Sequence, residues 1–282
     1  MREPPPGGAT FRAEPTDVIG LVPASEIDAA VATLIVSAVV VAVYVYVGSR
    51  ILRRETSDTA RLASYQFALW WVGLGAALAV GRFELALALV NALPYALALT
   101  FTLVNLVIEA VYLWGLVGYL IFVYSGKYHL PLITALYGAF YVISIYLVFV
   151  QMPYGVTLAS GTPSILYSAV ESGSTSLALQ LVVLLPEFFG ACVYLSLLRR
   201  TPDRAARFRI SLLAASILFW VVVHAFVPSS SIEWILAKSV LEVIPAVLSL
   251  IALLPPEWVR RRLLVADTSK SKEFRGPAPI RE

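Results

Sequence analysis

Seven apolar stretches, each about the length of a bilayer-crossing helix, alternate with short polar or Pro/Gly-bearing segments along this chain. The first runs from about Ala29 to Gly48 and is rich in Val and Ala, and the second from about Leu62 to Val80. Residues 84–124 form one apolar run too long for a single crossing. Asn and Pro punctuate helices, so the pattern places a turn at Asn91-Ala92-Leu93-Pro94 and a long third helix from about Tyr95 to Tyr124. Residues 82–93 then either extend the second helix or lie along the interface. The fourth helix is expected over about Leu130 to Gln151, the fifth over Ser176 to Leu198, the sixth over Ile210 to Val227 and the seventh over Ile232 to Leu254. Pro255-Pro256 stops the last helix, because proline cannot continue one. A longer segment with Pro153, Gly155, Gly161, Pro163 and Gly173 separates the fourth helix from the fifth, and Pro228-Ser229-Ser230-Ser231 leads into the seventh. The chain shows no internal repeat, and seven helices do not divide into two equal inverted halves.

Charge then orients the pattern. Arg50, Arg53, Arg54 and Arg61 lie between the first two stretches, and Lys127 between the third and fourth. Arg199, Arg200, Arg204, Arg207 and Arg209 separate the fifth from the sixth, and Arg260, Arg261 and Arg262 follow the seventh. The opposite connections carry only Arg82. Basic residues concentrate in cytoplasmic loops, so the expected fold is an all-α, integral membrane seven-helix bundle with its N-terminus outside and its C-terminus in the cytoplasm. Residues 1–26 read as an extracellular polar tail, 27–262 as the bundle and 263–282 as a disordered cytoplasmic tail. The acidic Glu14, Asp17, Glu26 and Asp28 ahead of the first helix fit an uncleaved helix with an outward tail, with no signal peptide apparent.

Composition agrees. Hydrophobic residues make up 59% and charged residues 14%, where a soluble domain carries roughly 25% charged residues. The net charge of +3 and pI near 9.0 would suit nucleic acid, but the positives sit at helix ends on one side. Anionic headgroups of the lipid bilayer, not nucleic acid, are the expected contact. Cys192 is the single cysteine, which excludes an intrachain disulfide and a cysteine-built metal site.

Ionisable residues inside apolar helices are costly, about 2.5–3.5 kcal/mol each on insertion scales, and are functional candidates by default. Five stand out: Glu109 in the third helix, Glu187 in the fifth, His224 in the sixth, and Lys238 with Glu242 in the seventh. Lys238 and Glu242 are four residues apart, hence on one face and able to pair. Polar neighbours recur at helical spacing: Asn105, Glu109, Tyr112 and Tyr119; Gln180, Glu187 and Tyr194; Ser216, Trp220 and His224; Tyr137, Tyr141 and Ser144. These stripes predict an internal polar network or pocket, with Glu109, Tyr112, Glu187, His224, Lys238 and Glu242 as its candidates. Each has a plainer reading, as an intrahelical ion pair, a helix-gluing hydrogen-bond hub or a packing residue. Pro186 and Pro245 lie inside helices and free backbone carbonyls that neighbours must satisfy.

A helix-7 lysine with a helix-3 carboxylate resembles the microbial rhodopsins, which implies Lys238 as a retinal-binding lysine and Glu109 as its counter-ion. The sequence departs from that family at Trp234 and Leu106, positions where the family carries a second carboxylate and an arginine, and it has no proline between Ile210 and Val227. The run Trp114-Gly115-Leu116 to Tyr124-Ser125-Gly126, the loop Arg199 to Arg209 and the closing Pro255-Pro256-Glu257-Trp258 are similar to seven-helix membrane proteins of archaea and bacteria related to sensor modules. That resemblance implies no particular ligand. Three function classes follow: a receptor or sensor module with a polar interior pocket and a cytoplasmic signalling partner at Arg199–Arg209; a small-molecule or proton transporter; and a membrane enzyme. The last is disfavoured, because His129 and His224 lie at opposite membrane faces and no nucleophile–base or metal-ligand set is present. No cofactor is expected, and the cell membrane is the expected location.

Overall fold

The computed structural model of the protein describes residues 24–53, 58–90, 95–126, 129–151, 174–226, 232–259 and 261. The expected turns at 91–94 and 228–231, the segment 152–173, nearly all of both tails, and Arg54, Lys127, Arg260 and Arg262 lie outside the described residues.

Among the described residues the chain forms seven α-helices and no strand: α1 (Ile27–Leu52), α2 (Asp58–Leu89), α3 (Tyr95–Ser125), α4 (Leu130–Gln151), α5 (Ser174–Arg200), α6 (Arg204–Phe226) and α7 (Ile232–Leu253). Five of them, α1, α2, α3, α6 and α7, are long and apolar enough to cross a membrane over their described residues. Their surfaces fit that solvent. Ile35, Val39, Tyr46, Phe188, Phe189 and Val222 stand exposed on the outside of the bundle, while the helices satisfy their own backbone groups.

Helix ends follow local chemistry. Asp203 caps α6, its carboxylate accepting from the Ala206 backbone N–H at 2.7 Å. Gly126 closes α3 at φ 68°, a left-handed conformation natural to glycine, and donates to the Phe122 carbonyl at 2.8 Å. Helix α2 departs from the shorter of the two expectations. Nothing between Gly81 and Val90 breaks a helix, so α2 runs on to Leu89 and carries Arg82 within it. The lone cation of the weakly charged side is therefore a helix residue, not a loop residue.

The helices pack as a ring in the order α1, α2, α3, α5, α6, α7 and back to α1, with α4 against α3 and α5. Short connections make α1–α2, α2–α3 and α6–α7 antiparallel neighbours. Ala30 shares a cluster with Ile232 and Ile235, and Ser37 meets Ser239 further along, so α1 runs with α7; the short 201–203 connection makes α5 antiparallel to α6 and hence parallel to α7. Four helices, α1, α3, α5 and α7, thus begin at one end of the bundle, called here the entry end.

Small residues bring the helices together, the usual device where lipid gives no hydrophobic drive between them. A Cβ on Gly115 would lie 2.6 Å from the Gln66 carbonyl oxygen, and one on Gly118 would strike the Gln66 amide, so α2 and α3 touch nearly backbone to backbone. The core between them is aromatic. Phe67 stacks on Tyr119 at 4.3 Å, and Trp71 meets Tyr44 at 5.5 Å. Tyr44 in turn meets Trp220 edge-on at 6.0 Å. Pro245 lies inside α7, and its carbonyl accepts from the hydroxyls of Ser216 (2.8 Å) and Ser249 (2.7 Å), which ties α6 to α7.

Candidate functional site

Toward the entry end the helices part around a cavity of about 190 Å³. Helix α2 gives it Arg82, α3 gives Asn105, Glu109 and Tyr112, α6 gives Trp220 and His224, and α7 gives Lys238 and Glu242. Leu74, Leu78, Leu184 and Ile235 supply apolar wall. At a rise of about 1.5 Å per residue, Arg82 lies about 10 Å inside the end of α2, Glu242 about 15 Å inside the start of α7, and Glu109 about 20 Å inside the start of α3. The cavity therefore descends from the entry end toward mid-bundle.

Exposure follows the same gradient. The side chains of Arg82 and His224 are 19% and 20% accessible, while that of Glu242 is 1% accessible. Arg82 reaches across the ring. Its Nε donates to Ser37 Oγ at 2.8 Å and its NH2 to Ser239 Oγ at 2.9 Å, joining α2 to α1 and α7. The same NH2 lies 3.9 Å from Glu242 Oε2, and His224 Nε2 lies 3.4 Å from Glu242 Oε1. The other His224 nitrogen, Nδ1, is 3.0 Å from the Trp220 carbonyl, and the imidazole lies against the Trp220 ring at 3.8 Å. On the opposite wall Asn105 donates to Glu109 Oε1 at 2.9 Å, one helical turn away as their four-residue spacing requires.

Five of the six sequence candidates, Glu109, Tyr112, His224, Lys238 and Glu242, thus line a single cavity. The sixth, Glu187, is not part of the lining; it is fully buried in α5. It is within electrostatic range of Glu109, Tyr112 and Tyr137. The pairing of Lys238 with Glu242 does not form. Glu242 turns to Arg82 and His224, and Lys238 faces the cavity within electrostatic range of Glu242, Arg82 and Glu109. Asn105 and Trp220, noted in the polar stripes, are wall residues.

Arg82 was missed as a site residue, and so were its partners Ser37 and Ser239. The signal for Arg82 was the absence of any helix breaker before Asn91, which makes 82 an intrahelical position. The two serines gave none, since hydroxyls are common where membrane helices meet. Among the described residues no group of three His, Cys, Asp or Glu side chains could hold a metal ion. Of the basic stretch Arg199–Arg209, Arg199, Arg200, Arg204, Arg207 and Arg209 are all exposed. Comparison with family models, curated proteins and solved structures finds no match to this chain.

Proposed function

We propose that the protein is a seven-span bundle of the cell membrane, entry end outward and C-terminus in the cytoplasm, that works as a non-enzymatic receptor- or sensor-like module. A small polar solute enters the cavity, its charges engage side chains on α2, α3, α6 and α7, and the relative placement of those helices shifts. The exposed arginines of Arg199–Arg209, where α5 meets α6, present the shift to a cytoplasmic signalling partner. The observation that carries this reading is the convergence of Arg82, Glu109, His224, Lys238 and Glu242 from four helices on one cavity. Charges this deep in an apolar bundle are costly unless they are used or paired. The cavity, at about 190 Å³, is smaller than the roughly 300–1,000 Å³ of sites for drug-sized ligands, so a small solute is favoured over a bulky chromophore such as retinal on Lys238.

The test is a thermal-shift screen of small polar metabolites on the protein in lipid nanodiscs. A solute should raise the unfolding midpoint, and Lys238→Ala should abolish the effect. If no solute acts, and neutralising each charge lowers only stability, the network is a structural device. Tags on the two termini should be found on opposite sides of the membrane.

A second reading, transport of protons or small solutes, is favoured by Glu187, a fully buried carboxyl of α5 within electrostatic range of Glu109 on the cavity wall. It predicts proton or solute flux in proteoliposomes that Glu187→Gln stops.

A further inference from the structure

We infer that the cavity recognises a small zwitterion, one carboxylate and one ammonium group a few bonds apart, by bridging Lys238 and Glu109. The inference rests on the reading that the cavity takes up a solute, and it names the chemical class of that solute.

The charged groups at the cavity differ in which already have a partner. Glu242 lies within ion-pair distance of Arg82 at 3.9 Å and near His224 at 3.4 Å, although neither of its carboxyl oxygens accepts a hydrogen bond among the described residues. His224 is bonded at Nδ1 with the Trp220 carbonyl, and its Nε2 lies 3.4 Å from Glu242 Oε1. Arg82 spends two donors on Ser37 and Ser239. Among the charged residues that line the cavity, two of opposite sign have no ion-pair partner among the described residues. The Lys238 ammonium makes no hydrogen bond or ion pair among the described residues, although it lines the cavity. Glu109 accepts from Asn105 at one oxygen only, Oε1. Its other oxygen is not among the buried atoms that lack a partner, so it faces the open space.

Lys238 and Glu109 feel one another across that space, yet no ion pair closes between them. An unclosed pair of opposite charges, held on α7 and α3 by the ring of helices, is complementary to a solute that carries both charges itself. The solute's carboxylate would accept from Lys238, with Arg82 beside it, and its ammonium would donate to Glu109. A lone anion or cation would satisfy one side chain and leave the other facing a like charge in a low-dielectric site, which is unfavourable. A zwitterion leaves the local charge balance unchanged. The volume agrees: a cavity of about 190 Å³ has room for a small amino acid.

The experiment uses the full chain in nanodiscs and reads the unfolding midpoint and equilibrium binding. The probes are glycine, β-alanine and γ-aminobutyrate, which vary the charge separation, and the half-molecules acetate and methylammonium. At least one zwitterion should bind saturably and raise the midpoint, and both half-molecules should bind about tenfold or more weakly, the worth of one hydrogen bond to a charged group. Lys238→Met and Glu109→Gln should each abolish the response. Because either change leaves one charge unbalanced, the double variant Lys238→Met/Glu109→Gln, neutral at both positions, is the second test: it should fold and ignore every zwitterion. Acetate or methylammonium binding as well as the zwitterions would overturn the inference while leaving a solute cavity standing. Zwitterion binding that survives in the double variant would also overturn it. No binding by any probe would overturn the inference and leave the solute cavity to the wider metabolite screen.

Discussion

Arg82→Leu isolates the strut that closes the ring of helices. The substitution keeps an apolar stem but deletes the guanidinium that bonds Ser37 at 2.8 Å and Ser239 at 2.9 Å and faces Glu242 at 3.9 Å. A hydrogen bond from a charged donor is worth about 1.5–3 kcal/mol. Both hydroxyls keep another partner, since Ser37 donates to Ser239 at 3.2 Å and Ser239 to the Ile235 carbonyl at 2.9 Å, so about 1 kcal/mol per bond is the fitting figure. Removing one member of a buried ion pair costs about 3–5 kcal/mol when the other is left unpaired. Here the contact is long, the guanidinium partly wetted, and His224 remains beside Glu242, so about 1 kcal/mol is assigned to the lost counter-charge. The expected destabilisation is about 3 kcal/mol. It is measured by reversible unfolding in mixed micelles as the SDS fraction rises. The cycle with Glu242→Gln separates the ionic part: the double variant should be about 1 kcal/mol more stable than the sum of the single losses predicts. A loss under about 0.5 kcal/mol, with no coupling to Glu242, would refute the assignment of Arg82 as the cross-ring strut.

Gly115→Ala should cost about 1–3 kcal/mol by overpacking, and more than Gly118→Ala, because the obstacle at Gly115 is the Gln66 backbone carbonyl rather than a movable amide. Gly138→Ala, with nothing within 4 Å of its new Cβ, should cause no loss of stability in the SDS titration. Ser216→Ala and Ser249→Ala should each cost about 0.6 kcal/mol or less, since either hydroxyl alone still serves the Pro245 carbonyl. The double variant should lose more than the sum, read from the same unfolding curves. Glu26, just ahead of α1, has its carboxyl raised by partial burial and then by the nearby Glu233. The folded state therefore takes up this proton at higher pH than the unfolded chain, so the contribution is complete at low pH and fades as pH rises through the shifted value. Glu26→Gln should remove that small pH dependence from the stability profile, read by unfolding across the acid range.

The amino-acid sequence by itself determined what the solvent decides locally. Lipid admits only segments whose backbone is internally satisfied, so runs such as 29–48 and 232–254 announce their helices by length and apolarity alone. Periodicity along a single helix likewise identified Glu109 with Asn105, and Trp220 with His224, as neighbours on one face. What lay beyond it was every choice made between helices. Lys238 and Glu242 share a face of α7, yet Glu242 is claimed by Arg82 from α2 and His224 from α6, because the ring brings those groups closer than the helix's own lysine. Glu187, indistinguishable in sequence from Glu109, falls outside the cavity lining because α5 presents Leu184 to it instead. Partners for a charge inside lipid are set by which helices touch and at what rotation, and only tertiary packing holds that information.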